Sequence, residues 1–350
     1  MTEALEKLIL TARAMNVSDI HMTVGMPLLF RINGELTEAL HQPTPQETEE
    51  LLLELLTDEQ KDRLQRGYDI DFALKTKDGN RQRVNVFRQQ NAPAATIRLL
   101  NSHIPSLEEL CLPEKLYELV KEPRGLILVT GPTGSGKSTT LAALLEYINC
   151  NYARHVITIE DPIEYTYSRK KSLIHQREVG RDVVSFASAL RSALREDPDV
   201  ILVGEMRDYE TISAALTAAE TGHLVLATLH TTGAAQTMDR IIDVCPAGSQ
   251  NQIRSQLAGV LKGVVPQCLL KRADGMGRIA ATELLVGTDA VSNLIRESKT
   301  HQLPSTMQAG GADGMHTLNM DLYRLVRSRV ITKETALQNS NDRKDFAQYL

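Results

Sequence analysis

Residues 131–138 read Gly-Pro-Thr-Gly-Ser-Gly-Lys-Ser, a complete G-x-x-x-x-G-K-S pattern. The apolar run Leu126–Val129 precedes it, and residues 139–145 follow with a helix-forming composition. A strand, a glycine loop and a helix in this order predict a phosphate-binding loop, because the glycines let backbone N–H groups converge on phosphate oxygens. The N-terminus of the helix adds its positive end. This segment therefore predicts a βα unit that is built around the phosphates of a nucleotide.

The loop residues are expected to share the work of binding. Lys137 is placed to reach the β- and γ-phosphates, and Ser138 to ligate Mg²⁺. A chance glycine turn is the alternative, and the correct flanks on both sides disfavour it. The residues predicted to bind the nucleotide are Gly131, Thr133, Gly134, Ser135, Gly136, Lys137, Ser138 and Thr139.

Length and composition narrow the class of protein. The 350 residues are enough for two domains with separate cores, and 42% hydrophobic with 24% charged residues is an ordinary soluble profile. No apolar run approaches the roughly 18 residues of a membrane span, and the first residues lack the layout of a signal peptide. The four cysteines form no C-x-x-C pair, which disfavours a metal cluster and fits a reducing cytoplasm. The net charge of −5 and the 4% aromatic content disfavour broad binding of nucleic acid.

Residues 1–100 are predicted to form a small α+β domain, followed by a linker at 101–106. Two capping boxes, beginning at Thr44 and Thr57, predict two consecutive helices. The other predicted elements are a helix at 3–15, a hairpin at 28–36 that turns at Asn33-Gly34, and strands at 69–74, 83–87 and 95–100, with a turn at 78–80 between the first two.

Residues 107–350 show a different pattern, in which predicted strands and helices alternate. This alternation predicts a mainly parallel sheet with helices on both faces. An added hairpin is predicted at 267–285, and the tail after residue 287 is predicted to be mainly helical. The predicted strands are 126–130, 155–160, 200–203 and 224–228, and the helices between them are the one after the glycine loop, 186–196 and 208–221.

Two groups of carboxylates follow predicted strands of this sheet. Glu205 follows the apolar run 200–203 and Gly204, which is the general form of a Walker B element, whose acid holds Mg²⁺ directly or through water. Glu160, Asp161 and Glu164 leave the strand at 155–160. Carboxylates at the carboxyl ends of parallel strands face the ligand crevice, so Glu160 or Glu164 is a candidate to orient the attacking water. A solvated acidic loop is an equally good interpretation of this second group.

Histidines and arginines are candidates for sensing the terminal phosphate. His223 and His230 flank one strand and point to opposite faces, so both cannot touch one ligand in an extended chain. His230, at the carboxyl end, is the better candidate, although a hydrogen-bonded structural histidine is the commoner situation. Some of the arginines are expected to reach a γ-phosphate, in the same or a neighbouring subunit, with a solvated sheet edge as the alternative. These arginines are Arg81, Arg83, Arg88, Arg98 and Arg207.

Taken together, these motifs resemble the secretion-type ATPases and, within that superfamily, the type IV pilus retraction ATPases. The resemblance covers nearly the whole chain, and its acidic and histidine boxes are specific to the superfamily, whereas the glycine loop is not. The matching segments are the loop at 131–138, the acidic box at 157–165, the Walker B segment at 197–208, the histidine box from 221–223 to 230–232, and N-terminal signatures at 18–21 and 31–34.

Three features of the resemblance favour the retraction type. The N-terminal domain is short, and the paired C-x-x-C motif of the extension and type II secretion relatives is absent. Residues 290–297 read A-V-S-N-L-I-R-E and resemble the retraction signature A-I-R-N-L-I-R-E. Val291 and Ser292 depart from that signature, and Ser292 removes a positive charge.

The resemblance implies a PAS-like N-terminal α+β domain, a RecA-like α/β ATPase domain and a homo-hexameric ring. It implies ATP and Mg²⁺ as ligands, and a cytoplasmic motor that is peripheral to the inner membrane and docks on an inner-membrane pilus platform protein. Residue by residue, it places Lys137 on phosphate, Ser138 and Glu205 with Mg²⁺, Glu164 as the catalytic carboxylate, His230 near the γ-phosphate, and Arg83 and Arg98 near the nucleotide.

Three other functions stay open on the sequence. The first is a pilus-extension or type II secretion ATPase. The second is a RecA-like nucleic-acid motor, which the net charge and the low aromatic content disfavour. The third is a ring partner that binds ATP with little turnover, an alternative that Ser292 keeps open although the carboxylates are intact.

Overall fold

A computed structural model describes residues 3–32, 34–77, 79–100 and 103–349. The chain divides into two compact units, the first comprising Met1–His103 with Pro162–Thr166 and the second comprising Ile104–Asp161 with Tyr167–Leu350. The predicted turn residues Asn33 and Asp78, and the linker residues Asn101 and Ser102, lie outside the described residues.

The first unit is a six-stranded antiparallel sheet with the order β3-β2-β1-β6-β5-β4, covered by three helices. Its core lies between the helices and the sheet, and contains Leu5, Leu52 and Ile97. The elements are α1 (Glu3–Ala14), β1 (Asp19–Thr23), β2 (Leu29–Ile32), β3 (Glu35–Glu38), α2 (Pro45–Glu54), α3 (Asp58–Gln65), β4 (Ile70–Lys75), β5 (Arg81–Gln89) and β6 (Ala92–Leu99).

Both predicted capping boxes are confirmed at the starts of α2 and α3. The Thr44 side chain accepts the Glu47 N–H, and the Glu47 carboxylate accepts the Thr44 N–H at 2.7 Å. Thr57 and Gln60 repeat the arrangement. The sequence analysis did not predict strand β1, whose five residues include only two apolar side chains, Ile20 and Met22. Asp19 at its start is buried, where it pairs with Arg98.

The second unit contains an eight-stranded sheet with the order β13-β12-β7-β11-β10-β8-β9, and β14 pairs with β12. The strands from β12 to β9 pair in parallel, whereas β13 and β14 are antiparallel to β12. The strands are β7 (Gly125–Thr130), β8 (His155–Glu160), β9 (Leu173–Glu178), β10 (Val200–Val203), β11 (Leu224–Leu229), β12 (Leu261–Lys271), β13 (Arg278–Thr282) and β14 (Leu285–Val286). The helices are α4 (Lys115–Leu119), α5 (Lys137–Asn151), α6 (Phe186–Ala193), α7 (Tyr209–Glu220), α8 (Ala234–Asp243), α9 (Gln250–Val260), α10 (Asp289–Arg296), α11 (Leu303–Ala309), α12 (Leu318–Arg327), α13 (Lys333–Asn339) and α14 (Arg343–Ala347).

Helices cover both faces of this sheet, as the alternating pattern predicted. Every residue of β7, β10 and β11 is buried, which explains their continuous apolar composition. Leu126 and Leu128 of β7 pack on the side of α7 and α9, and Ile127 and Val129 pack on the side of α5. The predicted α/β class with a mainly parallel sheet is confirmed.

Two features of the sheet were not predicted. The strand expected at 267–272 begins at Leu261, so that β12 runs parallel to β7 before it pairs with β13. The edge strand β9 was missed because His175, Gln176 and Arg177 give it no apolar alternation. Among the described residues, no helix combines the length and the apolar character that a bilayer crossing needs.

Candidate active site

The glycine loop joins β7 to α5 and depends on backbone that other residues rarely adopt. Gly131, Gly134 and Gly136 have φ of 143°, 78° and 90°. At Gly131 an added Cβ would also collide with the carbonyl oxygen of Gln267 and lie 2.6 Å from Ser135 Oγ. Gly136 is the N-cap of α5 and has no side chain with which to cap the helix, so the N-terminus of α5 is suited to an anion.

Lys137 and two buried hydroxyl groups give the loop its polar interior. The Lys137 ammonium donates to the carbonyl oxygens of Gly131 at 2.9 Å and Pro132 at 3.1 Å, which holds its charge against the loop. Thr130 Oγ1 and Ser135 Oγ are buried and find no hydrogen-bond partner within the described part of the chain. Because buried hydroxyl groups are normally paired, these two atoms fit a site that is completed by a phosphate-bearing ligand.

Gln267 on β12 fastens the loop from the neighbouring strand. Its side-chain amide donates to the Ser135 carbonyl at 2.7 Å and accepts from the Thr140 hydroxyl at 2.9 Å. Gln267 is only 4% exposed, so these bonds are shielded from water. The sequence analysis missed this residue, because nothing in the local pattern places β12 beside β7.

The other site residues leave the same edge of the sheet. β7 pairs with β11, and β11 pairs with β10, all in parallel, so their carboxyl ends are adjacent. With strands about 4.8 Å apart, the end of β10 lies about 10 Å across the sheet from the glycine loop. Glu205 and the glycine loop therefore leave the same edge of the sheet.

Glu205 is paired with the side chains of Arg207 and His230. Its carboxylate accepts from His230 Nε2 at 2.9 Å and from Arg207 at 2.7 Å, and its side chain is 17% exposed. Burial alone raises the pKa of Glu205, but the Arg207 hydrogen bond and the charges of His230 and Arg207 outweigh burial and lower the pKa below its ordinary value. Glu205 is therefore a carboxylate at neutral pH.

The backbone that carries Glu205 is held on both sides. The Gly204 N–H donates to the Ile159 carbonyl at 2.8 Å, and a Cβ on Gly204 would lie 3.1 Å from that oxygen. The Thr228 hydroxyl donates to the Gly204 carbonyl, and the Met206 N–H donates to the Thr228 carbonyl at 3.0 Å. β8 and β11 thus fix the turn that presents Glu205.

Only one of the two candidate histidines joins this cluster. His223 lies at the opposite end of β11, where its Nδ1 is 3.0 Å from the Ala218 carbonyl. Arg207, which was considered as a phosphate-reaching residue, pairs instead with Glu205. Asp208 caps α7 by accepting the Thr211 N–H at 2.8 Å, a role that the Asp-x-x-Thr spacing signals.

The three carboxylates that follow β8, Glu160, Asp161 and Glu164, lie in different environments. Glu160 Oε1 accepts from the Thr158 hydroxyl at 2.6 Å and from the Gln176 amide at 3.1 Å, so this oxygen is engaged in the sheet. Asp161 is exposed, and its charge helps to raise the pKa of Arg207, to which the Glu205 hydrogen bond contributes most. Glu164 belongs to the segment Pro162–Thr166, which is part of the first unit. Its catalytic role stays a prediction.

The two predicted arginines also belong to the first unit. Arg98 pairs with Asp19 at 2.9 Å and Arg83 with Asp71 at 3.9 Å. Both guanidinium groups remain substantially exposed despite these pairs. Their approach to a nucleotide stays a prediction.

The donor set fits Mg²⁺ bound together with phosphate. The Ser138 hydroxyl and the Glu205 carboxylate supply the hard oxygen ligands that Mg²⁺ prefers. Within the described ranges, no group of three or more His, Cys, Asp and Glu side chains forms a metal cage. Mg²⁺ in nucleotide sites needs no such cage, since substrate phosphates and water supply most of its ligands.

A family model described as "Type II/IV secretion system protein" matches residues 1–336. The chain belongs to this secretion family. This family member is 47% identical to the type IV pilus retraction ATPase PilT of Pseudomonas aeruginosa, over 94% of this chain and 96% of that protein. It is 51% identical to the uncharacterized protein YggR of Escherichia coli K12, over 92% of this chain and 98% of that protein.

A solved structure supports the same relationship. The crystal structure of the pilus retraction motor PilT with bound ADP matches with a TM-score of 0.91 and 46% identity, over 99% of this chain and 100% of that one. The similarity extends along the whole family member, through both compact units. The resemblance to the retraction-type secretion ATPases is therefore confirmed.

Proposed function

We propose that the chain is a Mg²⁺-dependent ATPase that powers type IV pilus retraction. The observation that carries the proposal is the Glu205–His230 pair on the same sheet edge as the glycine loop. The similarity to a pilus retraction ATPase over 96% of that protein supports retraction, rather than extension, of the pilus.

The residues of the site divide the chemistry between them. Lys137 and the N-terminus of α5 neutralise the phosphates, and the glycine loop supplies backbone donors. Ser138 and Glu205 hold Mg²⁺, which neutralises charge on the phosphate oxygens when it is bound. Glu164 orients the attacking water. His230, which is hydrogen-bonded to Glu205, senses the presence of the γ-phosphate. Arg83 and Arg98 approach the nucleotide from the first unit.

The proposed assembly is a homo-hexameric ring of PAS-like and RecA-like domains. It works in the cytoplasm, on the inner face of the inner membrane, against a pilus platform protein. Conformational changes that accompany ATP binding and hydrolysis pass energy to neighbouring subunits. The proposal includes no nucleic-acid partner.

Complementation of a retraction-deficient strain tests this function. The wild-type chain is expected to restore twitching, and Lys137→Ala is expected to fail at equal protein levels. Lys333→Ala, which removes a lysine from the exposed start of α13, is the matched control and is expected to restore twitching. Failure of the wild-type chain at normal levels would contradict the retraction role. Rescue of an extension-deficient strain instead would support the extension alternative.

A low-turnover ring partner is the second candidate, and Ser292 favours it. Ser292 replaces the arginine of the retraction signature, and its hydroxyl donates to the Ala258 carbonyl at 2.7 Å, which joins α10 to α9. Measurement of ATP turnover by the purified chain separates the candidates. Tight ATP binding with background turnover would favour the ring partner.

A further inference from the structure

Helix α8 begins just after His230 and has no cap of its own. Its N-cap is Gly233, in extended backbone with φ −146° and ψ 156°, and it makes no side-chain cap hydrogen bond. N-cap residues normally use a side-chain oxygen to accept an N–H of the first turn. Here that acceptor comes from elsewhere in the chain: Glu283 Oε1 accepts the Ala234 N–H at 2.7 Å.

Glu283 is a buried residue whose carboxylate caps α8. It lies between β13 and β14, is 7% exposed, and its own N–H donates to the Pro266 carbonyl at 2.9 Å. The next residue connects to the segment before α12, since the Leu284 N–H donates to the His316 carbonyl at 2.9 Å. Burial raises the pKa of Glu283, and the bond from Ala234 opposes that rise. The positive N-terminal end of α8 therefore faces this carboxylate.

The segment between α8 and His230 is short and held at both ends. Residues 231–233 separate His230 from the start of the helix, and His230 is bound to Glu205 at 2.9 Å. Thr237 Oγ1 donates to the Gly233 carbonyl at 2.7 Å and lies 2.7 Å from Thr231 Oγ1. A shift of the first turn of α8 therefore reaches His230 through only three residues.

We propose that Glu283 is a positioning residue that holds the His230 segment against Glu205. Glu283 acts through α8 and touches no substrate. The inference rests on the proposed ATPase function. Because the neighbouring Leu284 N–H donates to the His316 carbonyl, the same turn also contacts the segment before α12, which packs with α13 and α14 in one apolar cluster.

Glu283→Gln tests the link, since it keeps the shape of the side chain and removes the charge. Because small misplacements of catalytic groups reduce turnover strongly, kcat for ATP is expected to fall about tenfold. KM and the affinity for ADP are expected to change by less than about twofold, because Gln267 and Lys137 keep the glycine loop intact. The matched control is Asp342→Asn, which weakens the cap of α14 in the same cluster without contacting α8. Its kcat is expected to stay at the wild-type value.

A rescue variant keeps the test independent of folding. Gly233→Ser supplies a cap from the helix itself, and an added Cβ there meets only Glu283 Oε1, at an ordinary 3.8 Å. Hydrogen exchange of residues 231–237 is expected to speed up in Glu283→Gln, and both protection and kcat are expected to recover in the double variant.

Unchanged hydrogen exchange or unchanged kcat in Glu283→Gln would overturn the inference. Recovery of protection without recovery of kcat in the double variant would overturn it as well. The exchange measurement needs no turnover, so it tests the hold on the His230 segment even if the wild-type chain hydrolyses no ATP. That last result would overturn the proposed function and the kinetic role of Glu283 together.

Discussion

Glu205 is the residue on which the proposed chemistry depends most, because it is paired with His230 and Arg207 at the carboxyl edge of the sheet. Glu205→Gln keeps the volume of the side chain and removes the charge that holds both partners. We expect kcat for ATP to fall by at least about 100-fold, because the carboxylate that would hold Mg²⁺ is lost and the charge stabilisation from a bound metal ion is worth several kcal/mol. ADP affinity is expected to hold, since the glycine loop is untouched. Turnover near the wild-type value would show that Glu205 lies outside the chemistry.

The pairing of Glu205 with His230 and Arg207 predicts how the free energy of unfolding depends on pH. The folded pKa of Glu205 is lowered from 4.5, so its charge contributes stability above pH 4.5 that is lost as pH falls through the folded value. The free energy of unfolding of the wild-type chain should exceed that of Glu205→Gln at pH 7. Urea titrations of both proteins from pH 7 to acid should show this gap narrowing below pH 4.5. A difference in unfolding free energy that widened below pH 4.5 would contradict the pairing.

At the scale of elements, the glycine loop is held by β12 as much as by its own strand and helix. Gln267→Leu leaves the Ser135 carbonyl and the Thr140 hydroxyl buried without their partner. We expect a loss of about 1–3 kcal/mol in the free energy of unfolding and weaker ADP binding. Chemical denaturation and an ADP titration measure the two effects. The control is Gln302→Leu on an exposed turn, which is expected to change neither quantity.

Gly131 tests the geometry of the same loop. Gly131→Ala would force a Cβ into the Gln267 carbonyl at a φ that L side chains rarely adopt, so ADP binding is expected to be lost. Gly275→Ala has a comparably unfavourable φ of 72° but meets open space, so it provides the matched control. Equal ADP affinity in both variants would contradict the close approach of β12 to the loop.

The sequence predicts those parts of the site that follow directly from strands. The glycine loop, Glu205 and His230 each follow an apolar strand, and parallel strands bring their carboxyl ends to one edge. Gln267 and Glu283 could not be found this way. Gln267 is separated from Ser135 by 132 residues, and its contact depends on the start of β12, whose pairing beside β7 has no local signal. Strand β1 was missed because its alternation depends on only two apolar residues, Ile20 and Met22, and β9 was missed because its polar residues leave no apolar alternation.

For the whole molecule, the chain matches the retraction ATPase PilT of Pseudomonas aeruginosa over 94% of its length, so the proposed assembly is the next property to measure. With ATP bound, light scattering is expected to give a particle of six times the 38.8 kDa chain mass. The proposed ring would bring residues of one subunit near the nucleotide of the next, where an arginine supplied in trans would act. A monomer at every nucleotide and protein concentration would contradict the ring.

Lys137→Ala tests whether ATP is hydrolysed at the glycine loop. Steady-state ATP turnover should be measured on the wild-type chain and on Lys137→Ala with Mg²⁺ in excess, with folding of both confirmed by thermal melts. The wild-type chain is expected to turn over ATP, and the variant is expected to fall to background because the loop loses its only side-chain ammonium. Undiminished turnover in Lys137→Ala would contradict the assignment of this site.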